Sequence, residues 1–193
     1  MELTMISSKS TENTRICTSA LRLIAARGWG KTTLAIVAKG AKIPEASFKK
    51  RFASMNDVIP VIAAEIDREA IAACGIISGA PHDRLFDLLM ARFDILQLNR
   101  KAIETMAEAA RRDGALSCAL ARAAMASAWR LTDAAHLDAP PPRPVIAAGL
   151  IAVYAYAFFA WRRDESRDMA KTMAALDRAL RWAGKAAELL TPR

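Results

Sequence analysis

Three observations predict an all-helical protein, with a small basic head on a larger helical body. Alanine is abundant and aromatics are only 6% of the chain, which suits close-packed helices. Val and Ile are scattered singly, and no alternating strand pattern runs beyond a few residues. Apolar residues instead recur at helical spacing between glycine and proline breaks. With 53% hydrophobic residues among 193, there is ample material for a core, in one large domain or in a head plus a body.

The first helix is expected from Thr11 to Arg27, with Ile16, Ala20, Leu23 and Ile24 on one face, and it stops at Gly28 and Gly30. Thr32 or Thr33 caps a second helix, Leu34 to Lys39, which Gly40 ends. Pro44 opens a short third helix reaching Arg51, where its missing N–H costs nothing. Ser54 caps a fourth helix from Met55 to Ala73, and Asp57 completes an approximate capping box. The length of this fourth helix suits a connector between modules. Gly75, Gly79 and Pro81 then mark a boundary. Body helices are expected near 81–97, 99–112, 115–135, 144–163 and 167–190, with breaks at Asn99, Asp113-Gly114, Pro140 to Pro144 and Arg162 to Asp168. The domain division this implies is 1–54 for a helix-turn-helix head and 55–193 for the body.

Charge is distributed unevenly. Between Lys9 and Phe52 stand ten Lys/Arg against two acids, a local charge of +8, and the remaining residues carry 18 of each sign. The whole net charge therefore sits on the first quarter. A field of that sign attracts a polyanion, and duplex DNA is the polyanion that a two-helix turn is built to meet.

Several chemistries find no footing. Cys17, Cys74 and Cys118 are far apart, without CxxC or CxxH spacing, and read as reduced cytoplasmic thiols. His82 and His136 both fall near loops. No Ser/His/Asp grouping, phosphate loop or paired-glycine fingerprint occurs, so no catalytic residue, metal ligand or cofactor is expected. Asp164, Asp168 and Asp177 lie near Arg162, Arg163, Arg167 and Arg178, and read as surface ion pairs. The opening MELTMISSKSTEN lacks the apolar core of a signal peptide. Val145 to Trp161 carries no charge, but it is short for a membrane span and diluted by alanine and tyrosine. It is expected to be a buried or interface helix, without stable membrane insertion.

The head resembles the TetR family of bacterial one-component regulators. Thr33 stands at the family's capping Thr, Ile36 to Ala38 at its IA positions, and Ala41-Lys42-Ile43 at its AGV turn. Pro44 to Phe48 stand at s-k-g-t-l of the recognition helix, Phe52 at the Phe, Ser54 at the Ser and Val58 at the Leu, without a gap. Four positions depart from the pattern: Lys42 replaces the turn Gly, Lys49 the groove-facing Tyr and Met55 the phosphate-meeting Lys, and Glu45 places an acid on the face that would meet phosphates. The resemblance implies a cytoplasmic homodimer that binds a palindromic double-stranded operator and responds to a hydrophobic small molecule. The body is also similar to a TetR-like subfamily that includes the lipid-binding accessory protein of ubiquinone biosynthesis. The pattern W-x-x-D-x-S-x-D-x-x-x-T-M-A-x-L-D-x-x-L is present from Trp161 to Leu180. That likeness implies an alternative: a lipid-binding accessory protein that works without DNA.

Candidate site residues follow. Lys49, Lys50 and Arg51 fan round the third helix and, with Lys42 in the turn, read either as DNA contacts or as a solvated charge run. Ser47 and Lys49 are the base-edge candidates, because the first turns of a recognition helix enter the major groove. Lys31 and Thr33 stand where a helix N-terminus binds phosphate, although Thr33 also reads as a plain N-cap. Met90, Phe93, Met106, Met125, Trp129 and Phe158 read either as ordinary core or as the wall of an adaptable pocket for a hydrophobic or lipid ligand. Tyr154 and Tyr156 are about 200° apart on a helix, so one is expected to face the core and the other a partner subunit.

Overall fold

The computed structural model describes residues 2–137 and 141–190, with side chains for residues 12–137 and 141–189. Pro140, at the head of the expected proline break, lies outside the described residues, as does the side chain of Lys9. Among the described residues there are helices and no strands, as expected. They are α1 (Glu2–Arg27), α2 (Leu34–Ala41), α3 (Glu45–Arg51), α4 (Ile59–Cys74), α5 (Pro81–Leu98), α6 (Arg100–Ala110), α7 (Gly114–Ala134), α8 (Arg143–Arg162) and α9 (Ala170–Leu190). Tight 3-10 turns at Trp29–Lys31 and Met55–Val58 precede α2 and α4.

Three boundaries differ from expectation. α1 begins at Glu2 rather than Thr11, since no glycine or proline interrupts the stretch between them. Gly40 does not end α2, which continues to Ala41 and stops at Lys42 in the left-handed conformation (φ 58°, ψ 44°). Gly40 serves packing instead: a Cβ there would clash with Ser19 Oγ, so a larger residue would displace that hydroxyl from its bond to the Val37 carbonyl. The expected fourth helix opens as the 3-10 turn Met55–Val58, started by the capping box of Ser54 and Asp57, in which Asp57 accepts the Ser54 N–H at 2.8 Å.

The chain divides into two compact units. One holds the residues up to Ile66 together with Leu96–Ala123, the other Asp67–Ile95 together with the residues from Ala124 on. In the first, the α1 stripe Ile16, Ala20 and Ile24 is fully buried, and α1 packs on α2 and α6. Val37, Ala38 and Ala41 of α2, Phe48 and Phe52 around α3, and Val58 complete that core. The Phe48 and Phe52 ring centroids lie 4.7 Å apart.

In the second unit α8 and α9 form a helical hairpin. Ala147, Leu150, Val153, Ala157 and Trp161 make one buried stripe of α8, with Leu176, Ala179 and Leu180 buried on α9. The outer face of α8 remains apolar: Ala152 and Ala155 are exposed, Phe159 is 57% exposed, and Tyr156 packs at a tilt against Trp182 of α9 with centroids 5.7 Å apart. α8 is the one described helix long and apolar enough, by length and composition, to cross a membrane.

The turn between α8 and α9 corrects the reading of Asp164 as a surface ion-pair residue. Asp164 is fully buried and caps α9, accepting the Thr172 N–H at 2.7 Å, the Thr172 hydroxyl at 2.8 Å and the Ser166 N–H at 3.1 Å. Burial opposes its charge, but the Ser166 and Thr172 hydrogen bonds outweigh burial and lower its pKa to about 2. With Trp161, Thr172 and Leu176 also fully buried, the W-x-x-D-x-S pattern is accounted for as the packed corner of a helical hairpin.

Candidate functional site

The head presents α2, a tight turn and α3. Lys42 makes the turn: its N–H bonds back to the Ala38 and Lys39 carbonyls, satisfying helix ends that the family's glycine would otherwise serve. α3 buries Phe48 alone, so Glu45, Ala46, Ser47, Lys49 and Lys50 all face water. Lys49 pairs with Glu45 at 2.7 Å on that exposed face, a contact of little energetic weight that leaves its ammonium accessible.

Arg51 behaves differently from its neighbours. Its guanidinium reaches α1, bonding Glu12 at 2.8 Å and Asn13 at 2.6 Å, and lies 4.8 Å from the Phe52 ring centroid. It ties α3 to α1. Lys31 is exposed on the 3-10 turn before α2, and Thr33 takes the N-cap backbone position without a side-chain capping bond. The buried Thr32 is the residue whose hydroxyl is committed locally, to the Gly28 carbonyl at 2.8 Å. The head therefore gathers Lys42, Ser47, Lys49 and Lys50 around α3, with Lys31 and Thr33 at the start of α2.

The second unit holds a cavity of about 490 Å³, walled mainly by apolar side chains including Leu85, Leu137, Val145, Ile146, Leu150 and Leu180. Its polar members are His82, Arg84 and His136. The buried Nε of Arg84 finds no acceptor in the protein, and its Nη1 meets only the His136 carbonyl at a long 3.5 Å. None of the six residues proposed from sequence as ligand contacts lines this cavity. Phe93 and Phe158 join an aromatic stack, Phe93–Tyr154 at 5.3 Å, Tyr154–Phe158 at 6.0 Å and Phe158–Trp161 at 5.3 Å, in which Phe93 and Trp161 are fully buried and Tyr154 and Phe158 half-buried. Met106 is buried in the first unit, Met90 is half-buried, Met125 is exposed, and Trp129 stacks under the Arg143 guanidinium at 5.6 Å. Tyr154 does face the core, as one of the tyrosine pair was expected to.

Sequence reasoning missed a buried charge cluster. Asp67 of α4 is fully buried and accepts Arg92 Nε of α5 at 2.8 Å, with Arg130 of α7 donating from Nε at 2.9 Å and Nη2 at 2.7 Å. Arg92 stacks on the Tyr154 ring, 4.5 Å from its centroid. Burial opposes the charge of Arg92, but Tyr154 and Asp67 outweigh it and raise the pKa above the ordinary value. Burial likewise raises that of Tyr154, against the pull of Arg92. One signal was available: Arg92 recurs at helical spacing with Leu85, Leu88, Leu89 and Leu96, on the apolar stripe of its own helix.

No protein-family model matches this sequence, and no curated protein matches it. Solved structures match almost the whole chain. A TetR transcriptional regulator from Nitrosomonas europaea ATCC 19718 superposes with a TM-score of 0.68 at 19% identity, over 90% of this chain and 98% of that one. Another from Rhodococcus sp. RHA1 superposes at 0.67 and 14% identity, over 91% and 97%. The multidrug binding protein EbrR, complexed with imidazole, superposes at 0.53 with 25% identity, over 86% and 88%. The chain has the fold of the TetR transcriptional regulators, as the residues of its head implied.

Proposed function

We propose that this protein is a cytoplasmic transcriptional regulator that binds duplex DNA as a homodimer and responds to a hydrophobic small molecule. The observation that carries the reading is the exposed basic face around α3, on a TetR fold whose net charge of +8 resides in the head. In this reading residues 1–54 bind DNA and residues 55–193 bind the ligand and the partner. Ser47 and Lys49 read base edges, while Lys31, Thr33, Lys42 and Lys50 hold phosphates. Arg51 holds α3 against α1, so it sets the angle of the reading helix. The cavity of about 490 Å³ is of a size that suits a small-molecule ligand, and its apolar walls select a hydrophobic one. EbrR, of like fold, is a multidrug binding protein, which supports the same assignment for the body.

The experiment is selection of bound genomic DNA at moderate salt, followed by titration of the selected fragment at several salt concentrations. If each subunit neutralises about four phosphates, the log–log slope is roughly −7 for the dimer, at about −0.9 per phosphate. Changing Lys49 and Lys50 together to Ala removes binding with helicity intact, whereas Arg51→Ala also lowers stability by loosening α3. Wild-type protein that binds no genomic fragment at low salt overturns the reading. Co-purified lipid in that same protein would establish the accessory-protein alternative.

A further inference from the structure

We propose that the large cavity of the second unit binds an aliphatic monocarboxylate, with its headgroup at Arg84 and its chain against Gly149 and Gly184. This names the ligand class for the hydrophobic-ligand reading above and rests on it. Gly149 and Gly184 stand inside α8 and α9, where glycine weakens a helix relative to alanine. Neither has a positive φ, and a Cβ added at either would meet no atom within 4 Å. Gly40 differs, since a Cβ there would clash with Ser19. Backbone conformation and packing therefore make no demand for glycine at 149 or 184. Both line the cavity, and the side chains they lack leave room for a guest between α8 and α9. At about 490 Å³ that room suits a small-molecule ligand, and walls such as Leu85, Ile146, Leu150 and Leu180 suit an alkyl chain.

Arg84 supplies a fixed positive charge at this wall. Among the described residues no acid lines the cavity, and no carboxylate pairs with Arg84. Asp83 of α5 and Asp177 of α9 are engaged elsewhere, Asp83 by His82 at 3.1 Å and Asp177 by Arg181. Arg84 Nη1 reaches only the carbonyl of His136, which also lines the cavity, so the guanidinium lies at the cavity wall. Its Nε is closed off, and the ligand is not met there. Nη2 bonds none of the described residues and, unlike Nε, is not closed off. A planar guanidinium matches the two oxygens of a carboxylate. One positive charge beside apolar walls also selects one negative charge. A neutral chain leaves the guanidinium without a partner, and a phosphate monoester brings close to two charges against one.

Calorimetric titration of octanoate, decanoate and dodecanoate into the full chain, below their micelle concentrations, tests this, with decanol as the neutral probe and decyltrimethylammonium as the cationic one. The expected result is saturable carboxylate binding whose affinity rises about fourfold per added methylene. Decanol should bind about tenfold or more weakly than decanoate, and the cation not at all. Arg84→Gln removes the charge and should bring decanoate down to the affinity of decanol, with decanol itself unchanged. Gly149→Leu fills the room without a clash at its Cβ and should abolish binding of both. Circular dichroism checks the folding of each variant. Wild-type protein that binds decanol as tightly as decanoate, or folded Arg84→Gln that binds decanoate like the wild type, overturns the carboxylate and leaves the hydrophobic-ligand reading standing. Folded Gly149→Leu that binds decanoate like the wild type overturns its place in this cavity. Wild-type protein that binds none of the probes overturns both the proposal and the hydrophobic-ligand reading.

Discussion

Lys42 combines two physical roles in one side chain. A non-glycine residue in the left-handed region carries a conformational cost of about 1 kcal/mol, and Lys42 holds φ 58° to close the turn between α2 and α3. The same residue puts an exposed positive charge beside α3, the helix proposed to read DNA. Lys42→Gly is therefore expected to raise thermal stability by about 1 kcal/mol while weakening DNA binding and lowering the salt slope by about one phosphate. Thermal melts and a salt titration on one preparation read both effects. A variant less stable than the wild type, or one that binds DNA as tightly, would contradict the paired roles. Arg51 shows the converse, since its place in a run of three basic residues hid a contact with Glu12 and Asn13 that belongs to the architecture of the head.

The joint between α8 and α9 depends on one carboxylate. Asp164 satisfies the first turn of α9 through Thr172 and fixes the preceding turn through Ser166. Its pKa is depressed from an ordinary 3.8 to about 2, so the charged form is preferred in the folded protein. The stability it contributes is present in full above about pH 4 and is lost as pH falls through 2. Asp164→Ala is expected to cost about 2 kcal/mol near neutral pH, from the lost cap and the donors left behind. The gap between wild type and variant should narrow between pH 4 and pH 2, and denaturant melts across that range measure it. A gap that stays constant with pH would show that the carboxylate charge is not what holds the turn.

At the level of assembly, α8 carries two apolar faces and the chain itself covers one. Val153, Ala157 and Trp161 are buried within the unit, whereas Ala152, Ala155, Tyr156 and Phe159 remain exposed beside Trp182 of α9. Contiguous apolar surface of this kind marks an association site, and in a homodimer the same patch meets its own copy. Ala152→Asp is expected to convert dimers to monomers at micromolar concentration in analytical ultracentrifugation, with helicity unchanged. A wild-type chain that sediments as a monomer would remove the dimer from the proposed function.

The helical fold and the turn-helix pattern of the head were legible in the sequence because they depend on local rules. Val37, Ala38, Ala41, Phe48, Phe52 and Val58 are buried, and their spacing alone records that they share one core. The capping box at Ser54 and Asp57 was equally local. Gly40 and the Asp67–Arg92–Arg130 cluster were not legible, since each acquires its role from residues distant in sequence. Gly40 is favoured because the Ser19 hydroxyl of α1 lies where its Cβ would be. The cavity moved away from the methionines and aromatics for the same reason: composition supplies side chains able to line a pocket, but packing assigned Phe93 and Phe158 to a stacked core and opened space beside Arg84 and Leu137 instead. Helix identity follows from neighbours along the chain, whereas cavities and buried charges follow from neighbours in space, which spacing along one helix does not encode.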